Sequence, residues 1–362
     1  MKIFELLQEL DRKAPLGLAL SWDNCGLQIG SPQREIRQIL ISLDVTPSAV
    51  AKAIEIGADL IVSHHPLIFN AIKSITNPLY LELIEHRIAV ISLHTNLDVA
   101  DNGVNHALAA ALDLIPISHL THETGSTWYH LSVTCPPEAI AKVRSAAYAA
   151  GAGRIGTYTG CSTVHGVTGS FVPLEGSTPT VGEIGTEEVV LEQELEMMVD
   201  SFQLQAVVAA ITHTHPYETP AVYYYPVANP NPAYGLGLIC TPRQQMTLRE
   251  LATDVKARLG TGSLRLWTAG MDVDMKITRI AICGGAGGSM IREATGQADV
   301  LITGDISYHG YLDSKIPLLD AGHFYTEYPV LKSLQEYFSG LSIASTVLPI
   351  EDHEFSRNFH NI

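Results

Sequence analysis

The chain has 362 residues, nearly half of them hydrophobic and only 17% charged, so it is a folded protein of two or three domains rather than a disordered one. Thirty-eight acidic against 22 basic residues leave a net charge of −16, which excludes a general polyanion binder built on a Lys/Arg stripe. A local basic pocket for one phosphate-bearing small molecule is not excluded.

The N-terminal MKIFELLQELDRKAP spaces Phe4, Leu7 and Leu10 as on a helix and interrupts them with charges. It reads as an amphipathic first helix and not as a secretion signal. Trp22-Asp23-Asn24 with Gly26 then forms a turn, which is either plain or part of a site rim. IRQILISLD predicts a strand, PSAVAKAIEIG a helix stopped by Gly57, ADLIVSHH a buried strand, PLYLELIEHR a helix and IAVISLH another strand. Continuous apolar strands separated by helices predict a mainly parallel sheet covered on both faces.

From about residue 125 to 233 the character changes. A strand and a Pro-Pro-initiated helix come first, then the Gly/Pro/Thr-rich GSFVPLEGSTPTVGEIG. EEVVLEQELEMMVDSF predicts a helix-forming region, followed by AVVAAITHTHPYETPAVYYYPV and a proline-rich exit. The order predicts a small ferredoxin-like α+β domain inserted into the larger fold. The last third returns to the first pattern. ITRIAICGG is a strand, SMIREATGQ a helix, ADVLITGD a buried strand, KIPLLDAGH a helix or strand, and FYTEYPVLKSLQEYF a helix. The expected fold class is therefore α/β, with residues 1–124 as a first lobe, 125–235 as the insert and 236–362 as a second lobe completing one core.

The two outer thirds repeat each other. ADLIVSHH (58–65) aligns with ADVLITGD (298–305), and HTNLD (94–98) with HFYTE (323–327), in the same order and about one βαβ unit apart. Convergence in parallel α/β proteins happens at the carboxyl ends of strands, where His64, His65, His94, Asp98, His323 and Glu327 are expected. Imidazole and carboxylate without thiolate suit Zn, Fe(II), Mn, Co or Ni in a chemically active site. Six candidates exceed the needs of one ion with open positions and suffice for two ions about 3.5–4 Å apart. Adjacent histidines in a strand point to opposite faces, so His64 and His65 converge only if the strand ends there, which Pro66 favours. The plainer reading makes them polar caps of a buried strand; the matching pairs downstream argue against it.

Asp305, with His309 four residues on, fits either an acid/base or imidazole-orienting pair, or a helix N-cap. GGAGGS (284–289) fits a phosphate cradle but better fits tight strand-to-helix packing, having no Walker or Rossmann fingerprint. His213, His215 and Glu218 in THTHPYET are read as structural in preference to a further metal site. The five cysteines (Cys25, Cys135, Cys161, Cys240, Cys283) are scattered without Cys-x-x-Cys, which predicts reduced thiols and a cytoplasmic protein. No stretch approaches the roughly 20 apolar residues of a spanning helix.

SWDNCGLQIG, ADLIVSHHPLIF, SLHTNLDVADNGVNHALA, ADVLITGDISYH and GHFYTEYPVL, in this order, resemble the NGG-interacting-factor-three-like family, whose members carry the name GTP cyclohydrolase 1 type 2 homolog. GAGRIGTYTGCS, PLEGSTPTVGE and HPYETPA resemble the version with a PII/CutA-like domain between its halves. The resemblance implies a dinuclear metal site formed by His64, His65, Asp98, His323 and Glu327, with His94 in or beside it. It also implies a ring-shaped homohexamer whose sites face an internal cavity. A two-metal centre generates hydroxide near neutral pH and binds phosphate oxygens, which suits a hydrolase acting on a nucleotide or related heterocycle. The alternative is a non-catalytic metal or nucleotide carrier or regulator whose insert senses a small molecule. A DNA-associated ring is the weakest reading, because the acidic charge disfavours nucleic acid.

Overall fold

The computed structural model describes residues 1–122, 126–156, 158–229 and 231–358. The chain groups into two compact units, one of residues 1–125 with 233–362 and the other of residues 126–232. In the first unit the opening helix Ile3–Lys13 buries Ile3, Leu6 and Leu10, leaving Phe4 and Leu7 half-buried at the flanks of that stripe. Strands β1 (Gly26–Ile29), β2 (Gln38–Ser42), β3 (Leu60–Ser63) and β4 (Ala89–Ser92) follow. Helices Pro47–Glu55 and Pro78–Glu85 connect β2, β3 and β4 in parallel, and β1 pairs antiparallel with β4. The first of these helices is capped by Thr46, whose hydroxyl accepts from the Ala49 N–H, and carries Pro47 at its first position. Every residue of β3 and β4 is buried, as continuous apolar strands covered on both faces require. A further strand, β5 (Leu114–His119), leaves this sheet.

The unit 126–232 holds β6 (Trp128–Cys135), β7 (Thr163–Phe171), β8 (Glu188–Asp200) and β9 (Val222–Pro226), with helices Ile140–Ala149 and Leu204–Thr214. Element order is strand–helix–strand–strand–helix–strand, and the antiparallel sheet runs β7-β8-β6-β9. β8 corrects the helix predicted for EEVVLEQELEMMVDSF. Leu195, Met197 and Val199 alternate into the core under the two helices, while Glu192, Glu194 and Glu196 fall on the other face. Period-two burial between two hydrogen-bonded neighbours overrides the helical propensity of glutamate and methionine.

Back in the first unit, β10 (Leu238–Pro242), β11 (Met246–Thr247), β12 (Arg265–Trp267), β13 (Lys276–Ile277), β14 (Ile280–Ile282), β15 (Val300–Thr303), β16 (Leu318–Asp320) and β17 (Ala344–Val347) complete the strands among the described residues. β14, β15 and β16 are parallel; β12 flanks them antiparallel on one side and β10, then β5, on the other. β17 pairs parallel with β2, giving the first sheet the order β1-β4-β3-β2-β17. The two halves of the sequence thus exchange edge strands. SMIREATGQ forms only a 3₁₀ turn and the short helix Ile291–Ala294, KIPLLDAGH forms β16, and the final helical stretch divides into His323–Glu327 and Pro329–Gly340.

The sequence repeat is a repeat in space. β3 and β15 are each the middle of three parallel strands. Asp59 accepts from the Arg37 N–H at 2.9 Å, and Asp299, its aligned counterpart, accepts from the Thr278 and Arg279 N–H groups at 2.7 and 2.8 Å. The next parallel strand in each sheet leads within three residues to a histidine at the start of one helical turn, His94 before Thr95–Val99 and His323 in His323–Glu327.

Candidate metal centre

β3 stops at Ser63, and a row of buried serines makes the turn beyond it. The Ser63 hydroxyl donates to the His65 carbonyl at 2.8 Å and lies 2.8 Å from the Ser92 hydroxyl of β4. His64 and His65 leave the pleat there and lie on the same side, with ring centroids 5.0 Å apart. His64 is fully buried and its Nδ1–H donates to the Leu93 carbonyl at 2.7 Å. His65 Nδ1 bonds Asp44 Oδ1 at 2.8 Å, His94 Nδ1 bonds Asp23 Oδ1 at 2.9 Å, and His323 Nδ1 bonds Asp305 Oδ2 at 2.7 Å. Each imidazole is held through Nδ1 by an oxygen behind it, the arrangement that orients histidines toward a metal.

Glu327, delivered from the second sheet, stands among them. Its Oε1 lies 3.1 Å from His323 Nε2 and 3.6 Å from His64 Nε2, and its Oε2 lies 3.1 Å from His65 Nε2. Asp98 Oδ1 is 3.5 Å from His64 Nε2 on the other side. The ligand atoms of His64, His65 and Glu327 all fall within 4.8 Å of one another, a group able to hold a divalent ion. His94 lies edge-on to His64 and His65, with centroids 5.4 and 5.6 Å away.

Burial and mutual charge set the protonation of the group. Burial opposes charge on Glu327, yet the facing imidazoles hold its carboxyl well below the usual range. Burial likewise opposes protonation of His65 and His323, but the Asp44 hydrogen bond and the facing Glu327 carboxylate raise the first to about 10, and Glu327 with the Asp305 hydrogen bond raises the second to about 9. Burial raises Asp98 to about 6 and lowers His94 despite Asp23 beside it. Three buried atoms, His64 Nε2, Asp98 Oδ1 and Glu327 Oε2, make no hydrogen bond. Folded proteins seldom leave such atoms orphaned, and a nitrogen/oxygen donor set converging around them fits a divalent cation.

The remaining expectations fall as follows. Asp305 sits behind His323, whereas His309 is exposed on the helix Tyr308–Asp313 and, among the described residues, its ring meets Tyr308 and makes no hydrogen bond to Asp305. The glycines of GGAGGS serve close approach: a Cβ on Gly285 would collide with Glu327 Oε1, and one on Gly284 would meet Val104 at 2.6 Å. Trp22-Asp23-Asn24 belongs to the site. Asp23 is buried under His94, held well below the carboxylate range against its burial by Thr95, His94 and Cys25, and Trp22 is exposed between Phe69 and His94. His215 spends both ring nitrogens on backbone groups, His213 is exposed, and Glu218 accepts from the Thr178 N–H, so the three do not converge. Asp44 was not among the expected residues. Its signal is its place in Ser42-Leu43-Asp44 at the end of β2, in the pattern of Ser92-Leu93-His94 at the end of β4.

Paired α/β sheets that bring histidines and a carboxylate together at their strand ends, in a group able to hold a divalent ion, define the class of this protein. The family model described as Duf34/NIF3 (NGG1p interacting factor 3) matches residues 1–353, and the chain belongs to that family. It is 38% identical over 327 residues to the GTP cyclohydrolase 1 type 2 homolog of Halalkalibacterium halodurans, covering 88% of this chain and 87% of that one. To the protein of that name in Staphylococcus aureus (strain COL) it is 37% identical over 343 residues, 92% of each. Among solved structures, a Bacillus cereus protein related to NIF3 superposes with a TM-score of 0.84 at 33% identity over 98% of each chain. No helix among the described residues is long and apolar enough to cross a membrane.

Proposed function

We propose that the chain is a dinuclear metal protein, with two divalent ions held by His64, His65, Asp98, His323 and Glu327 and flanked by His94, and that it hydrolyses a nucleotide or related heterocycle. The observation that carries this reading is the meeting of three orphaned buried atoms, His64 Nε2, Asp98 Oδ1 and Glu327 Oε2, at the ends of strands from two sheets. Glu327 faces three imidazoles and would hold the ions together with them. Bound divalent ions supply Lewis acidity and a lowered water pKa.

The chain's own residues do the rest. Asp44, Asp305 and Asp23 fix the rings of His65, His323 and His94. Trp22, 56% exposed beside His94, offers a face on which a flat heterocycle stacks. The relatives' name, GTP cyclohydrolase 1 type 2 homolog, points to the same substrate class. The strand–helix–strand–strand–helix–strand order of residues 126–232 supports a ferredoxin-like, PII/CutA-like insert, and we place the protein in the cytoplasm as a homohexamer.

The test is metal content per chain by elemental analysis, followed by release of formate or phosphate from a nucleotide panel that includes GTP. Turnover lost together with metal in His65→Ala and Glu327→Ala supports the hydrolase. Metal lost from those variants with no turnover by the metal-replete wild type supports a carrier instead.

A further inference from the structure

The unit 126–232 carries a cleft of about 500 Å³, within the size range of small-molecule sites. It opens on the sheet face opposite the two helices, the face that Thr134, Glu192 and Glu194 share by strand alternation. The HPYET stretch builds one wall. His215 Nε2–H donates to the Thr134 carbonyl at 2.9 Å while its Nδ1 accepts from the Tyr217 N–H at 3.0 Å. The Thr178 N–H reaches both oxygens of Glu218 at 3.2 and 3.3 Å, and the Thr180 hydroxyl donates to the Pro216 carbonyl at 2.9 Å. The Gly/Pro/Thr-rich loop is thereby clasped to the turn at 216–218. This accounts for a motif that the metal centre leaves unused.

The chemistry of the cleft is one-sided. Glu192, Glu194 and Glu218 line it, and among the described residues no lysine or arginine does. Glu192 is only 7% exposed, and its Oε1 is buried without a hydrogen-bond partner. Burial and a hydrogen bond to this carboxylate push the Tyr217 phenol above its usual range. Phe171 and Tyr217 face each other with centroids 6.4 Å apart, and Tyr223 stands 65% exposed on the rim. A buried carboxylate with one oxygen left unpaired, beside aromatic faces, is complementary to an organic cation. A phosphate-bearing ligand would meet three carboxylates and no cation. A bare metal ion is a poorer match, since no group of three converging ligands occurs here among the described residues.

We propose that this cleft binds a small organic cation of the amine or guanidinium class, its charged nitrogen on Glu192 and its apolar body against Tyr217 and Tyr223. The site is separate from the metal centre and does not depend on its chemistry. Calorimetric titration of the full-length, metal-loaded protein with agmatine and putrescine, and with ATP as the anionic comparison, tests it. Binding of at least one amine is expected, weakened about tenfold or more in Glu192→Gln and measurably weakened in Tyr223→Ala, with metal content unchanged in both. Absence of amine binding by the wild type overturns the proposal, as does tighter binding of ATP that is lost in Glu192→Gln. Unchanged amine affinity in the Tyr223→Ala protein, whose exposed side chain is not needed for folding, overturns it even if Glu192→Gln does not fold.

Discussion

Asp305 holds a left-handed backbone conformation, with φ at +54°, while its carboxylate bonds His323. That conformation disfavours a side chain by about 1 kcal/mol relative to glycine. Asp305→Ala and Asp305→Gly remove the same carboxylate, and each should weaken metal binding by about 10–100-fold. The glycine variant should nevertheless be about 1 kcal/mol more stable than the alanine variant in urea unfolding of the metal-free protein. Equal metal affinity in wild type and both variants would remove Asp305 from the site. A pH dependence follows from the histidines. His65 and His323 are raised to about 10 and about 9, so in the metal-free protein their partnership with Glu327 adds stability at pH values below their unfolded range. That stability is lost as pH rises through 9 to 10. Metal must displace the same protons, so calorimetry in buffers of different ionisation enthalpy should detect proton release at pH 7, diminishing above pH 9. The ligand candidates were legible in the sequence because two His-x-x-x-carboxylate pairs repeat at strand ends. Asp44 and the role of Asp23 were not, since a lone aspartate after a strand serves turns and caps as readily as imidazoles.

At the scale of elements, the turn after β14 is shaped by the carboxylate it touches. Gly285 has φ at +68°, and a Cβ there would strike Glu327. Gly285→Ala should therefore cost about 1–3 kcal/mol in unfolding free energy and lower metal content, whereas Gly57→Ala, at a similar φ of +66° but with open space around it, should lower stability alone. If both variants keep full metal content, the turn does not position Glu327. The same turn shows what a sequence can and cannot convey. Glycines after a strand announce close packing, but the partner, 42 residues away in Glu327, is visible only in three dimensions. The parallel strands were legible because they are short, apolar and bounded by helices. β8 was not, because its outward face is rich in glutamate and its alternation is diluted by adjacent apolar pairs at Val189-Val190 and Met197-Met198.

For the whole molecule, the exchange of edge strands decides what can be taken apart. Residues 1–124 lack β17 for their own sheet and leave β5 without β10, and residues 236–362 have the converse deficits. Each half expressed alone exposes unpaired strand edges and should aggregate. Removing residues 126–232 is a different cut. Leu120 and Thr121 donate their N–H groups to the Gly237 and Leu236 carbonyls at 3.2 Å each, so the chain leaves and re-enters the first unit at adjacent positions. A few glycines joining residue 122 to residue 234 can span that gap without disturbing either sheet. The proposed metal ligands all lie in the retained unit. The shortened protein should therefore unfold in one cooperative transition and bind metal with the wild-type stoichiometry, while losing amine binding entirely. Light scattering on the same pair of proteins tests the proposed hexamer: six chains in the full-length protein are expected, and a smaller number after the deletion would place assembly contacts in residues 126–232, whose Leu174, Val189 and Leu191 are each at least 67% exposed. Loss of metal from a soluble, cooperatively folded deletion protein would contradict the assignment of the centre to the paired sheets alone.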